Sequence, residues 1–182
     1  MNSIVAADLY RIDKLQGVKG LIRGLRIPAF RYVFYYRMVN LYKSNSIIWL
    51  IFTLLKRRCS FKFGYQIPSN VKIGAGLNIG HYGTIVVNEE VVIGKNCNLA
   101  HSITIGQTNR GKLKGVPVIG DNVWIGTGSV IVGKIIIGSN VLIAPNAFVN
   151  MDVPSNSLVI GNPARIIPKD NPCESYIQNI LI

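Results

Sequence analysis

The chain contains only two histidines, His81 and His101. Each stands two places after an aliphatic residue, Ile79 and Leu99. An imidazole titrates near neutral pH, so it can take a proton from a hydroxyl as that oxygen becomes a nucleophile. Two imidazoles at equivalent positions of a repeating fold would sit on one edge, one above the other. That arrangement serves either proton transfer or a structural ladder of stacked rings, and the elements that position the pair bear on the choice.

From residue 65 onward an aliphatic residue, usually followed by a small one, recurs every six positions. Ile67, Ile73, Ile79 and Ile85 keep step. After a two-residue slip at Asn88, Glu89 and Glu90, Ile93, Leu99 and Ile105 resume it; after a longer interruption Ile119, Ile125, Ile131, Ile137, Ile143 and Val149 follow. An amphipathic helix repeats at 3.6 and a half-buried strand at 2.0, so a period of six fits neither. A triangular coil of three short strands does: 18 residues per turn, with stacked turns pairing at about 4.8 Å. The thirteen repeats make roughly four coils. His81 and His101 are three repeats apart, one full turn, on the same edge.

Residues 1–64 are built differently. They hold twelve Lys/Arg against two Asp/Glu, eleven of the sixteen aromatics and four of the eighteen glycines. That is the composition of helices with a basic, aromatic surface. Pro28 suits a first helical turn, with Phe30, Val33, Phe34, Met38 and Leu41 behind it, predicting a helix over about 28–43. Ser46 is placed to cap a second helix that runs through Ile47, Leu50, Ile51 and Leu54 and closes on Lys56, Arg57 and Arg58. This segment is either a helical cap on the second part or a neighbouring subunit, or a peripheral contact with an anionic membrane face. No helix-turn-helix, zinc finger or RNA-recognition signature accompanies the charge, so nucleic-acid binding is not expected.

Composition narrows the remaining classes. Ile47 to Leu55 is about half of the roughly 20 apolar residues that a membrane span needs. Asp8 and Asp13 fall where a signal peptide carries basic residues. Cys59, Cys97 and Cys173 are odd in number and far apart, which predicts neither disulfides nor a metal cage. A cytoplasmic protein is expected, either free or held at the inner face of the bacterial cytoplasmic membrane.

The stretches IGAGLNIG, IGKNCNLAHSITIG and IGDNVWIGTGSVIVGKIIIGSNVLIA, with the closing IGNPARII, resemble the hexapeptide-repeat acyltransferases. The resemblance implies a mainly β fold, a left-handed parallel β-helix, over residues 65–168, between the helical segment 1–64 and a tail, 169–182. It also implies acetyl-CoA as donor, no metal, and a homotrimer with sites in the subunit clefts. GHYGTIVVNEEVVIGKNCNLAHSITIG resembles the serine acetyltransferase branch and the bacterial polysaccharide O-acetyltransferases allied to it. On that resemblance His81 is the general base, His101 is auxiliary or binds the acceptor, and a backbone N–H near Gly106 or Gln107 stabilises the oxyanion. Thr127 and Pro145 continue the histidine edge along the pantetheine arm, and Arg165 and Lys169 meet the phosphates.

Four positions depart from the serine enzymes. The aspartate before their first coil corresponds to Gln66, the aspartate of their Asp-His pair to Gly80, and their Arg-His pair to Gly115 and Val116. Serine's carboxylate and ammonium lose their partners there, and an unpaired ion is costly to desolvate. A neutral sugar hydroxyl needs only hydrogen bonds, which Gln66, Tyr82, Gln107, Thr108 and Asn109 offer. The interruption GQTNRGKLKGVPV reads as a loop projecting beside His101 toward a neighbouring subunit. The expected function is therefore acetyl transfer to a saccharide of a bacterial polysaccharide. Serine O-acetylation and a non-catalytic binding solenoid stand as alternatives.

Overall fold

A computed structural model describes residues 2–42, 44 and 46–181. Four helices come first: α1 (Ser3–Tyr10), α2 (Gly17–Gly24), α3 (Pro28–Leu41) and α4 (Ile47–Phe63). The sequence pattern announced only the last two, since α1 and α2 are two-turn helices rich in small residues. Of the expected helix over 28–43, position 43 lies outside the described residues. Ser46 accepts a hydrogen bond from the N–H of Trp49 at 3.1 Å, capping α4. The helix runs past the cationic run, where the sequence reading ended it, to Gly64, whose φ of 81° stops it in the left-handed region. Lys56 is accordingly no helix terminus. It is buried, and its ammonium donates to the Ile67 carbonyl and Ser69 Oγ. No helix is long and apolar enough to cross a membrane among the described residues.

The rest is a parallel β-solenoid with short strands. Its first coil carries β1 (Tyr65–Gln66), β2 (Lys72–Ile73) and β3 (Asn78–Ile79), and its second β4 (Ile85–Val87), β5 (Val92–Ile93) and β6 (Asn98–Leu99). The third carries β7 (Ile103–Gly106), β8 (Val118–Ile119) and β9 (Val123–Ile125), the fourth β10 (Val130–Val132), β11 (Ile136–Ile137) and β12 (Val141–Ile143). A fifth holds β13 (Phe148–Val149), a bridge from Val153 to Ile137, and β14 (Ser157–Ile160), against which β15 (Arg165–Pro168) returns antiparallel. About five coils therefore stand where the repeat count gave four. Met151 to Asn156 breaks the six-residue pattern without breaking the winding.

Up to β10 each strand pairs with the strand three later, β12 then pairs with β14 and β14 with β15, giving three sheets: β1-β4-β7-β10-β13, β2-β5-β8-β11, and β3-β6-β9-β12-β14-β15. They are called A, B and C below. The six-residue anchors stack into inward columns, such as Ile73, Ile93, Ile119 and Ile137 in sheet B and Ile79, Leu99, Ile125, Ile143 and Val159 in sheet C, all buried but the half-buried Ile73. Sheet A corrects the expected phase. Ile131 pairs with Ile105 and Ile105 with Val87, whereas Ile85 pairs with Ile103 in a second inward column. The step from Ile79 to its true successor Val87 is eight residues, so the two extra residues sit in the corner 80–84 and not at Asn88–Glu90. Ile85 misled because it too is aliphatic and fully buried.

Corners between sheets B and C use Asn96, Asn122, Asn140 and Asn156, at φ of 55–57°. Asparagine tolerates this left-handed turn. In the first coil the same corner is Gly76 (φ 80°), where a side chain would run into Asn96 Oδ1. Its bare N–H donates instead to Asp8 Oδ1 at 2.8 Å, as does that of Leu77. Asp8 also pairs with Arg37 at 2.7 Å. Arg37 in turn donates to the carbonyls of Ile73 and Gly74, and Arg11 to those of Gly76 and Gln178 and to Asn98 Oδ1. Buried charges thus lock α1 and α3 onto the exposed end of the first coil. That end would otherwise leave unpaired edges.

Candidate functional site

The histidine corner lies where sheet C passes into sheet A. Because Ile79 pairs with Leu99, the residues that follow also stack, and the rings of His81 and His101 stand 5.9 Å apart, edge to face, with an interplanar angle of 88°. His81 is exposed and His101 half-buried. The two extra residues of the first-coil corner push His81 and Tyr82 outward. Behind them Gly83 (φ 139°) donates to the Phe63 carbonyl at 2.9 Å. A Cβ on Gly83 would meet the Cβ of His101 at 3.0 Å. The bare backbone at Gly83 therefore leaves His101 its position. Nδ1 of His101 is buried and has no hydrogen-bond partner, an unmet demand that buried polar atoms seldom carry.

The sequence reading passed over Tyr65. Its hydroxyl donates to the His81 carbonyl at 3.3 Å. Burial pushes the phenol up to about 12, so it remains a neutral donor. Tyr65 heads the inward column that continues through Ile85 and Ile103, a place visible only once strand register is known. Phe63, the last residue of α4, packs against both Tyr65 and Tyr82 at about 6 Å. The end of α4 thus braces the corner from behind.

The registers carry this corner upward from His101 to Thr127, Pro145 and Gly161. Gly161 stands roughly 19 Å from His81 at 4.8 Å per coil, and Arg165, one strand further on, pairs with Ile160 beside it at the far end of the line. Lys169 does not join it. β15 runs back along β14 until Pro168 faces Ser157, which leaves Lys169 at the opposite end of the sheet, with its N–H on the Asn156 carbonyl.

The expected acceptor residues are not all gathered. Tyr82 is exposed beside His81, but Gln66 lies past the corner on sheet A, in a cleft shared with Arg57, Ser60 and Phe61. Gly106 ends β7 and Gln107, Thr108 and Asn109 follow it, so the strand separates them from His101. They stand at the next corner, between sheets A and B. The loop is closed by two hydrogen bonds of 3.0 Å between Thr108 and Gly115, and Asn88 reaches Gln107 at 3.4 Å. The expectation of a loop beside His101 in the same chain is thereby corrected. The insertion follows the end of β7, four strand residues after the histidine corner. Glu89, Glu90, Arg110, Lys112 and Lys114 are exposed at the loop's corner. Among the described residues no group of three or more His, Cys, Asp or Glu side chains is arranged to hold a metal ion.

The family described as "Bacterial transferase hexapeptide (six repeats)" matches residues 117–150. A serine acetyltransferase of Helicobacter pylori is 33% identical over 146 residues, 80% of this chain and 85% of that enzyme. The chloroplastic serine acetyltransferase 1 of Arabidopsis thaliana is 38% identical over 134 residues, 73% of this chain but only 42% of that longer protein. Among solved structures, soybean serine acetyltransferase complexed with serine is similar at a TM-score of 0.75 and 30% identity, covering 91% of this chain and 68% of that one. The Brucella abortus serine acetyltransferase in complex with coenzyme A has a TM-score of 0.71 and 29% identity, covering 92% and 66%. These findings support the hexapeptide-repeat acetyltransferases and overturn the polysaccharide branch with its saccharide acceptor, since the kinship runs to serine acetyltransferases. The argument from Gln66, Gly80, Gly115 and Val116 failed for a physical reason. Missing charges at chosen positions remove one way of holding an amino acid, and an ion can be met by any group the assembly brings within reach.

Proposed function

The chain belongs to the serine acetyltransferase family of hexapeptide-repeat transferases, and from that premise we propose that it moves an acetyl group from acetyl-CoA to the hydroxyl of serine. The observation that carries this reading is the facing pair His81 and His101, 5.9 Å apart on an open corner. His81 takes the hydroxyl proton as the serine oxygen bonds to the thioester carbonyl carbon. The tetrahedral centre then collapses, the carbon–sulfur bond breaks, and the imidazolium returns its proton to the CoA sulfur. O-acetylserine and CoA leave, and no acyl-enzyme forms. His101, half-buried with its ring against that of His81, stands close enough to share the acceptor with it. The line through Thr127 and Pro145 to Arg165 fits an extended pantetheine arm ending in phosphates.

A homotrimer completes the site. The loop with Gln107, Thr108 and Asn109 stands one corner away from its own histidines, so it serves the histidine corner of a neighbouring copy. There Gly106 and Gln107 can offer backbone N–H groups to the oxyanion. The same corner supplies what Gly80, Gly115 and Val116 lack: Arg110, Lys112 and Lys114 for a carboxylate, Glu89 and Glu90 for an ammonium. His81→Ala tests the assignment. Thiol release from acetyl-CoA with serine should fall about 10² to 10⁴ fold with melting unchanged, and undiminished turnover would remove His81 from the mechanism.

A further inference from the structure

Helix α4 is built inside out. Ile47, Leu50, Ile51 and Leu54 follow the spacing that ordinarily faces a core, yet they are 78%, 51%, 49% and 56% exposed, and Phe61 further along is 79% exposed. The opposite face, through Phe52, Lys56 and Cys59, packs on α3 and the first coil. The apolar stripe therefore has no partner within the chain. Arg57, Arg58 and Lys62 stand exposed on its last turns.

We infer that the outward face of α4 docks on an anionic lipid bilayer, the helix lying along the surface. The charge of residues 1–64 selects this occupant. Of the two acidic residues in positions 1–64, Asp8 is buried against Arg37, and only Asp13 is exposed. Lys14, Lys19, Arg23, Arg26, Arg57, Arg58 and Lys62 are all exposed. α2 repeats the same chemistry, with Val18 and Ile22 exposed at 75% and 54% beside Lys19 and Arg23. A second copy of this segment would set like charges against one another, whereas anionic headgroups complement them. Apolar side chains entering the acyl boundary beneath a cationic rim are the pattern of an interfacial helix. The 17 residues of α4 span roughly 26 Å at 1.5 Å per residue, and no membrane crossing is involved. This inference does not depend on the acceptor.

Co-sedimentation of the full chain with vesicles of equal parts phosphatidylglycerol and phosphatidylcholine, and with pure phosphatidylcholine, tests it. The protein should pellet with the anionic vesicles, barely with the neutral ones, and progressively less as salt rises. Arg57→Glu with Arg58→Glu should weaken binding about 10-fold or more, and Ile51→Asp with Leu54→Asp should abolish it. All four positions are exposed, and unchanged circular-dichroism melting verifies the folded state. Should the aspartate pair fail to fold, the glutamate pair carries the test alone. No binding to anionic vesicles would overturn the inference, and so would binding unaltered by these variants. A fall in the lipid-free oligomeric mass of either variant would assign the face to a second copy and overturn it equally.

Discussion

Gly83→Ala and Gly80→Ala make the same chemical change three residues apart on the histidine corner, and they should behave oppositely. At Gly83 the added carbon would stand 3.0 Å from the Cβ of His101, with the backbone at a φ of 139° that L side chains rarely adopt. Such backbone strain costs about 1–3 kcal/mol. The contact is also short of the usual 3.5–4.0 Å between carbons, so His101 must shift by roughly 0.5–1 Å. A displacement of that size at a reacting centre costs up to about 10²-fold in rate. At Gly80 a Cβ meets nothing within 4 Å, and stability and turnover should stay near wild type. Thermal unfolding read alongside acetyl-CoA turnover measures both. Similar effects from the two variants, in either direction, would refute the claim that Gly83 is bare to let His101 stand where it does.

Two further outcomes concern the join between helices and solenoid. Burial lowers the Lys56 ammonium to about 8, below its unfolded value of about 10.4. Between those values the unfolded chain holds a proton that the folded chain has released, so stability should rise from about pH 8 toward pH 10, by about 1–2 kcal/mol after allowing for partial solvation. Above pH 10 the buried hydroxyls of Tyr36 and Tyr65, both raised to about 12, reverse the trend. Denaturant titrations of Lys56→Met should lack the rise, and its persistence would show that another group causes it. Asp8→Asn leaves the buried Arg37 without its counter-ion and should cost about 3–5 kcal/mol in the same titrations; a loss under 1 kcal/mol would mean that the carbonyls of Ile73 and Gly74 satisfy Arg37 by themselves.

The six-residue period made the solenoid legible because each coil presents the same inward aliphatics, and Ile73, Ile93, Ile119 and Ile137 do form one column. Phase was harder to read. Ile85 and Val87 both point inward, and only the pairing of Val87 with Ile105 shows that the two extra residues belong to the corner bearing His81. Asp8 and Arg37 looked like ordinary charges in a basic segment. Their buried pairing joins elements 29 residues apart, a separation no local pattern encodes. The site was legible by residue type at the two histidines. Tyr65, Gly83 and the corner from which the 107–116 loop departs become visible only once strand register is known. The acceptor was misread because the reasoning counted charges at a few chosen positions, and left out Glu89 and Arg110, which stand exposed at the next corner.

Mass spectrometry of the product formed from acetyl-CoA and millimolar serine tests the central proposal most directly. The account predicts O-acetylserine in step with thiol release, at a rate that His81→Ala lowers about 10² to 10⁴ fold. A folded wild-type protein that binds CoA but leaves serine unacetylated would contradict it.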